Sequence, residues 1–481
     1  MAEYQLFSAG LLQPPNRPKS EEMKRILILL ILVVNGPFTK AQQTLSLEEY
    51  LSAVKAFHPI ARQAALDVEI AKANVTSARS GFDPQLQNSI NRKEFDGLLY
   101  YDHQISELKT PTWYGVDIVA GIESLSGQRT STPDTKGNSN YFGLSVPVGK
   151  GLLMDRRRAD LQQAKIFQDL SVQEQQTVLN NLLFDAAKAY WNWWQQHQVQ
   201  LLFRQAVQNA SERFRLVKTG YGIGERPAID TVEALAQLQS FQIAEQDVLL
   251  GVSNSELEVN VFLWQQNGEA YALPANVSPQ STMPVMLEAL QLERLLQQVQ
   301  LHPELAQYRF KLDALQVEKR LKFQSLLPSV YLKYNQLSKS HDLTKSFNSA
   351  WFQNNYRYGI TVSVPLRLSE GRGEYRKAKL KIEQTELQQL AKRIQLQTKL
   401  RQYYNEWRQL DRQISLQQQA IASYVQLQRG EEIRFQNGES SLFLINSREQ
   451  KTIEARQKLV ELQSKEQKAR VGVLWAAGAL R

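Results

Sequence analysis

The sequence predicts a mainly α-helical fold with a transmembrane β-barrel contribution. Three observations carry that prediction. Two stretches of nearly seventy residues read as single long helices, four short segments alternate apolar and polar side chains, and the whole arrangement occurs twice. His58-Pro59 returns as His302-Pro303, and Asp83-Pro84-Gln85-Leu86 has its counterpart in Leu327-Pro328-Ser329-Val330, both 244 positions on. Ser145-Val146-Pro147-Val148 matches Ser363-Val364-Pro365-Leu366, Tyr190 and Trp193 match Tyr404 and Trp407, and Gly224-Glu225 matches Gly438-Glu439. The spacing changes only in steps, the largest leaving 26 extra residues between Pro84 and Pro147 of the first copy. Residues 42–267 are thus the first repeat, 268–285 a linker and 286–481 the second repeat.

Residues 1–41 read as a leader and signal peptide. Met23-Lys24-Arg25 is basic, Ile26 to Val34 is apolar without a break, and Thr39-Lys40-Ala41 supplies a small-x-small end. Met23 is the expected natural start, with cleavage after Ala41. The apolar run reaches only about 14 Å as helix, too short to cross a bilayer. An N-terminal buried helix is the alternative.

In the first copy, Ser46-Leu47-Glu48-Glu49 resembles a capping box opening a short helix that His58-Pro59 breaks. A helix over about 59–81 ends at Gly81 and Pro84. Residues 153–219 hold no Gly or Pro, and Leu179, Leu182, Leu183, Ala186, Ala187, Tyr190, Trp191 and Trp194 form one apolar helical stripe. Gly220 to Gly224 interrupts, and a helix returns over about 225–265. The second copy repeats this with 303–326, 369–436 and 439–476. The shorter helices of each copy together match the long one, about 100 Å. Stacked end to end beside it, they give wall segments of equal height. A helix that long has no core of its own and must pack along its length.

The four strands lie within 113–148 and 328–366. Tyr114, Val116, Ile118, Ala120 and Ile122 share one face against Gly115, Asp117, Val119, Gly121 and Glu123. Tyr356, Tyr358, Ile360, Val362 and Val364 likewise oppose Arg357, Gly359, Thr361 and Ser363. A soluble sandwich with one buried face has the same alternation; the export signal and attached long helices favour a membrane barrel. Tyr114, Val116, Ile118, Ile122, Tyr356, Tyr358, Ile360 and Val362 are then the candidate lipid-facing residues. Four strands cannot close alone, and open edges are not tolerated in hydrocarbon, so several chains must share one barrel.

Composition removes other classes. The net charge of +9 suits nucleic acid, but export and the lack of a binding motif speak against it. There is no cysteine, and no two of the five histidines stand three or four apart, so no metal site is assigned. Gly220-x-Gly222-x-Gly224 follows a helix where a nucleotide fold needs a strand. No catalytic residue and no cofactor is assigned, and an enzyme is not expected. Arg156, Arg157, Arg158, Arg372, Arg376 and Lys377 sit just after the strands of each copy. They either meet lipid phosphates or form a solvated face.

Two helix-turn segments are the most specific pieces. They are Arg213-Phe-Arg-Leu-Val-Lys-Thr-Gly-Tyr-Gly-Ile-Gly-Glu-Arg-Pro-Ala-Ile-Asp230 and Arg434-Phe-Gln-Asn-Gly-Glu-Ser-Ser-Leu-Phe-Leu-Ile-Asn446. With the Val146-Pro147 and Val364-Pro365 junctions, they make the mature chain resemble the TolC family of outer-membrane efflux proteins. The resemblance implies a homotrimer in the outer membrane, with a twelve-stranded barrel and a periplasmic tunnel of twelve helices. Four strands and four wall segments would come from each chain. It also implies an equatorial belt from 46–57 and 286–301, and tips at about 218–230 and 434–446 that meet a periplasmic adaptor serving an inner-membrane pump. Residues 85–112 would lengthen a strand or join the belt.

Gly220, Gly224, Arg226, Asp230, Glu233, Gly438, Glu439 and Leu444 are the candidate gate and adaptor residues. Asp230 and Glu233 either form an acidic ring at the mouth or complement a helix dipole. Arg226 is positioned to latch onto a neighbour's acid. The expected function is a passive exit duct for efflux or type I secretion. A structural helical protein of the envelope without a pore is the alternative.

Overall fold

The structure, a computed structural model, describes residues 43–128, 135–274, 276–281, 291–339 and 354–480. The expected leader lies outside the described residues, as do residues 286–290 of the second expected belt helix. The elements run β1 (Gln43–Leu45), α1 (Leu47–Phe57), α2 (Pro59–Arg79), β2 (Gln85–Phe95), β3 (Leu98–Pro111), β4 (Asp117–Ser126) and β5 (Gly137–Gly149). Next come α3 (Arg156–Gly222), α4 (Ala228–Asn260), β6 (Val277–Pro279), α5 (Leu292–Gln298), α6 (Pro303–Gln324), β7 (Ser329–Ser338), β8 (Tyr356–Ser363), α7 (Ser369–Gln436) and α8 (Leu442–Ala476). The chain divides into a small unit, described at 43–44, 274 and 276–278, and a large one holding almost everything else. A two-stranded pair joins β1 to β6. All the helices and the main sheet belong to the large unit.

Local chemistry sets the helix ends. The capping box at α1 is present: Ser46 Oγ accepts from Glu49 N at 3.2 Å while Glu49 accepts from Ser46 N at 3.0 Å. His58 and His302 each precede a proline at the first helical position, and each ring caps the helix it opens. His58 Nδ1 accepts from Ile60 N at 3.2 Å, and His302 Nδ1 accepts from Glu304 N at 3.1 Å. Burial holds both imidazoles below their usual pKa, which keeps that nitrogen free to accept.

The helices form a row of four wall segments. α2 meets the end of α4, with the His58 ring 6.0 Å from Phe262 and Arg62 donating to the Gln266 carbonyl at 2.8 Å. Both lie along one side of α3. α6 and α8 lie along its other side, Gln307 reaching Thr177 at 2.8 Å and Asn180 donating to the Trp475 carbonyl at 3.0 Å. α7 packs outside them. The row therefore reads α2 with α4, α3, α6 with α8, α7. Tyr190, Trp191, Trp193 and Trp194 are buried in it, Tyr190 against Tyr50 of α1.

The sheet corrects the strand count. It has six strands in the order β2-β3-β4-β5-β7-β8, every neighbouring pair antiparallel, where the alternation indicated four. The two additional strands come from residues 85–111, joined by Asp96-Gly97 at φ +55° and +73°. That is the two-residue hairpin turn an Asp-Gly pair favours. The strands after Pro111 also start later than expected. Thr112 N donates to the Val116 carbonyl at 2.9 Å and Gly115 sits at φ +82°, so Tyr114 and Val116 belong to a turn and not to a strand. The two repeats meet where β5 pairs with β7 from Asn140 opposite Ser338 to Gly149 opposite Ser329.

Candidate functional site

The sheet register puts every second side chain on one face. That face carries Gln87, Ser89 and Asn91 of β2, His103, Glu107 and Lys109 of β3, and Asp117, Gly121 and Glu123 of β4. It continues through Tyr141, Gly143 and Ser145 of β5 and Lys333 and Asn335 of β7 to Arg357, Gly359 and Thr361 of β8. Its polar groups bind one another across strands. Tyr141 donates to Glu107 at 2.6 Å over Gly121, whose missing side chain leaves room for the ring, and His103 bonds Glu123 at 2.7 Å. The opposite face carries Ile118, Ala120, Ile122, Phe142, Leu144, Leu332, Tyr334, Tyr358, Ile360 and Val362, while on the β2–β3 hairpin Leu86, Ile90 and Leu108 alternate there with Asn88, Arg92, Asp102, Gln104 and Ser106. Tyr358, Ile360 and Val362 are 60–69% exposed. Six of the eight expected lipid-facing residues thus stand on one apolar face, and Tyr114 and Val116 are in the turn below it.

That turn is bolted to the helices. Trp113 stacks on Phe82 at 4.2 Å, just after α2. Arg157 pairs with Asp117 at 2.9 Å and with Asp155 at 3.1 Å, and Arg158 binds Asp155 and the Gly151 and Leu152 carbonyls. Asp155 caps α3 by accepting from Arg158 N at 2.9 Å, which explains how a helix can open on three arginines. Burial pushes its carboxyl up, but the hydrogen bonds and charges of Arg158 and Arg157 hold it below the usual range. The guanidinium groups of Arg157 and Arg158 are therefore engaged within the chain. Arg156, Arg372, Arg376 and Lys377 are exposed.

At the far end of the row the two helix turns repeat each other. Gly224 and Gly438 take φ +79° and +77°, and Glu225 N donates to the Gly220 carbonyl as Glu439 N does to Arg434, both at 2.9 Å. Val217, Ala234 and Leu442 pack between the turns with Phe214 and Phe435. Arg226 lies 4.1 Å above the Phe435 ring of its own chain. Glu233 accepts from Asn446 at 3.3 Å, and Arg213 binds both Asn446 at 3.1 Å and the buried Glu449 at 2.6 Å. Sequence reasoning missed the Arg213–Glu449 pair, since its members are 236 positions apart. Asp230 lies at the first turn of α4, half-buried, and Leu444 is part-exposed on α8. Among the described residues no group of three or more His, Asp or Glu is placed to hold a metal, and no helix is long and apolar enough to cross a membrane.

The sheet, largely polar on one face and largely apolar on the other outside the β2–β3 hairpin, is thus continued by paired hundred-ångström helices. The profile of the outer membrane efflux protein family matches residues 51–260 and 295–479. The chain belongs to that family. Among solved structures, the outer membrane protein VceC of Vibrio cholerae is 14% identical with a TM-score of 0.63, covering 90% of this chain and 96% of its own. The CmeC outer membrane channel of Campylobacter jejuni is 15% identical at 0.61, covering 98% and 94%. The MtrE outer membrane channel of Neisseria gonorrhoeae is 13% identical at 0.62, covering 93% and 94%. At such identities the likeness is one of fold. No curated protein matches the chain.

Proposed function

We propose that this member of the family is the outer-membrane exit duct of a multi-part efflux or type I secretion machine. Three copies would close one barrel through the outer membrane and one helical tunnel into the periplasm. The tips at Gly224 and Gly438 would meet a periplasmic adaptor that links the duct to an inner-membrane pump. Transport through the duct is passive, the pump supplying the energy. Residues 1–41 direct export and are removed.

The observation that carries this reading is a pair of matching open sides. One side of the sheet ends at β2, which follows α2; the other ends at β8, which precedes α7. The helical row ends at α2 with α4 and at α7, the same two sides. Both sides are apolar. On α4, Ile229, Ile243, Leu250 and Leu257 fall at multiples of seven, and on α7 Leu380, Leu387 and Ile394 do the same, all more than half exposed. Such stripes are coiled-coil seams awaiting a partner helix.

Asp230 and Glu233 from three copies would ring the mouth of the tunnel and favour cations there. Protein extracted from the outer membrane should migrate as a heat-sensitive oligomer and conduct in planar bilayers. Asp230→Asn combined with Glu233→Gln should lower its preference for cations. A water-soluble monomer without channel activity would refute the duct, whereas unchanged ion selectivity in a conducting variant removes only the acidic ring.

A further inference from the structure

We infer that this chain builds an eighteen-stranded barrel, with β8 of each copy pairing antiparallel to β2 of the next and the hairpin of residues 85–111 inside the barrel wall. The inference rests on the shared-barrel reading and on three copies. It departs from the twelve strands that four per chain would give.

The first reason is that the hairpin belongs to the sheet. β3 pairs with β4 over ten positions, Asp102 opposite Ser126 through Pro111 opposite Asp117. Its polar face is joined to the following strands by His103 with Glu123, Glu107 with Tyr141, and Lys109 with Asp117 at 3.1 Å. The turn after it is anchored by Trp113 on Phe82 and by Asp117 with Arg157. The edge of β4 is therefore taken, and among the described residues the unpaired edges are those of β2 and β8.

The second reason is direction and chemistry. β2 leads away from α2 and β8 leads back to α7, so a copy-to-copy pairing of the two continues the antiparallel order. Their faces correspond in part: Leu86 and Ile90, alternating with Asn88 and Arg92, continue the face of Tyr358, Ile360 and Val362, and Gln87, Ser89 and Asn91 continue the polar face of Arg357, Gly359 and Thr361. Backbone groups left unpaired in hydrocarbon are not tolerated, so each edge needs a strand.

The third reason is width. Four helices packed about 9 Å apart span about 36 Å of wall. Strands about 4.8 Å apart and tilted by about 40° take about 6 Å each around the circumference. Six such strands span about 37 Å, a width the row of helices beneath them accommodates. Because barrel diameter grows roughly linearly with strand number, the opening is about 1.5 times that of a twelve-stranded barrel.

The chain has no cysteine, so introduced pairs report cleanly. Thr361→Cys on β8 is combined in turn with Gln87→Cys, Ser89→Cys and Asn91→Cys on β2, and separately with Val119→Cys on the same face of β4. Oxidation in outer-membrane vesicles should give reducible dimer and trimer bands with at least one β2 partner and none with Val119. The heat-sensitive oligomer band before oxidation shows that each variant has assembled. Cross-linking to Val119, or assembled trimers in which no β2 position cross-links, overturns the eighteen-stranded barrel and leaves the duct standing. Variants and parent that never form an oligomer overturn the duct itself.

Discussion

Replacing Arg213 by methionine should be among the most damaging single changes near the tips. The guanidinium sits 2.6 Å from Glu449, whose side chain is only 5% exposed, and it also donates to Asn446. At about 4 Å between charge centres and an effective dielectric of about 20, the attraction is about 4 kcal/mol before desolvation is counted. Arg213→Met removes it and strands a buried carboxylate, a loss of about 3–5 kcal/mol. Glu449→Gln leaves a cation that is 20% exposed and still bonded to Asn446, and should cost only about 1–2 kcal/mol. Converting both residues to methionine should cost less than Arg213→Met alone, since no charge is left unpaired. Heat unfolding of the detergent-extracted protein, followed by its helical circular dichroism, ranks the variants. An unchanged midpoint for Arg213→Met, or a double variant no more stable than Arg213→Met alone, would refute the reasoning. Arg213 of α3, Glu233 of α4 and Asn446 and Glu449 of α8 form one bonded group that ties the two turns of a chain to each other.

Two further predictions concern helix ends. His58 and His302 have folded pKa values below the unfolded value, chiefly through burial. Their contribution to stability is therefore complete above about pH 6.5 and lost as pH falls through the folded values. His58→Asn with His302→Asn keeps a cap acceptor without the titration and should flatten the dependence of melting temperature on pH just below 6.5; a curve parallel to the parent's would count against it. Gly224→Ala and Gly438→Ala force a side chain into the left-handed region at about 1–2 kcal/mol each and should speed proteolytic nicking at the tips. Gly222→Ala, with open space at its Cβ and helical backbone, should not, and equal nicking in all three variants would dismiss the turn geometry as the cause.

What the sequence made legible was whatever repeats at a fixed period. The helix expected over 153–219 is found at Arg156–Gly222, running through Gly220 and Gly222 before it turns, and the histidine-proline caps and the tip glycines each occur twice with the same geometry. What escaped it has no period to read. Gln85 to Phe95 offers only Leu86 and Ile90 on its apolar face before a register shift after Lys93, so its alternation was too weak to see. Asp96-Gly97 was nonetheless a local hairpin signal standing in plain view. Tyr114 and Val116 failed for the opposite reason: they extend a true alternation past its physical end, where Gly115 turns the backbone. Arg157 could not be placed because its partner Asp117 is strand-borne and forty positions away.

The missed hairpin is the one of these that bears on assembly. The 26 extra residues of the first copy match the length of one added hairpin, and only a partner sheet makes sense of such a hairpin. Its outward side carries Asn88, bonded to Ser106 at 3.2 Å, where Tyr358 and Ile360 stand on the other edge. A strand this polar gains little by burying its face in lipid. Its backbone must therefore be held by neighbours on both sides. β3 supplies one, and no other strand of the described residues lies against its free edge. In the proposed shared barrel the second neighbour would be β8 of another copy, so assembly and the inserted hairpin would be parts of one requirement.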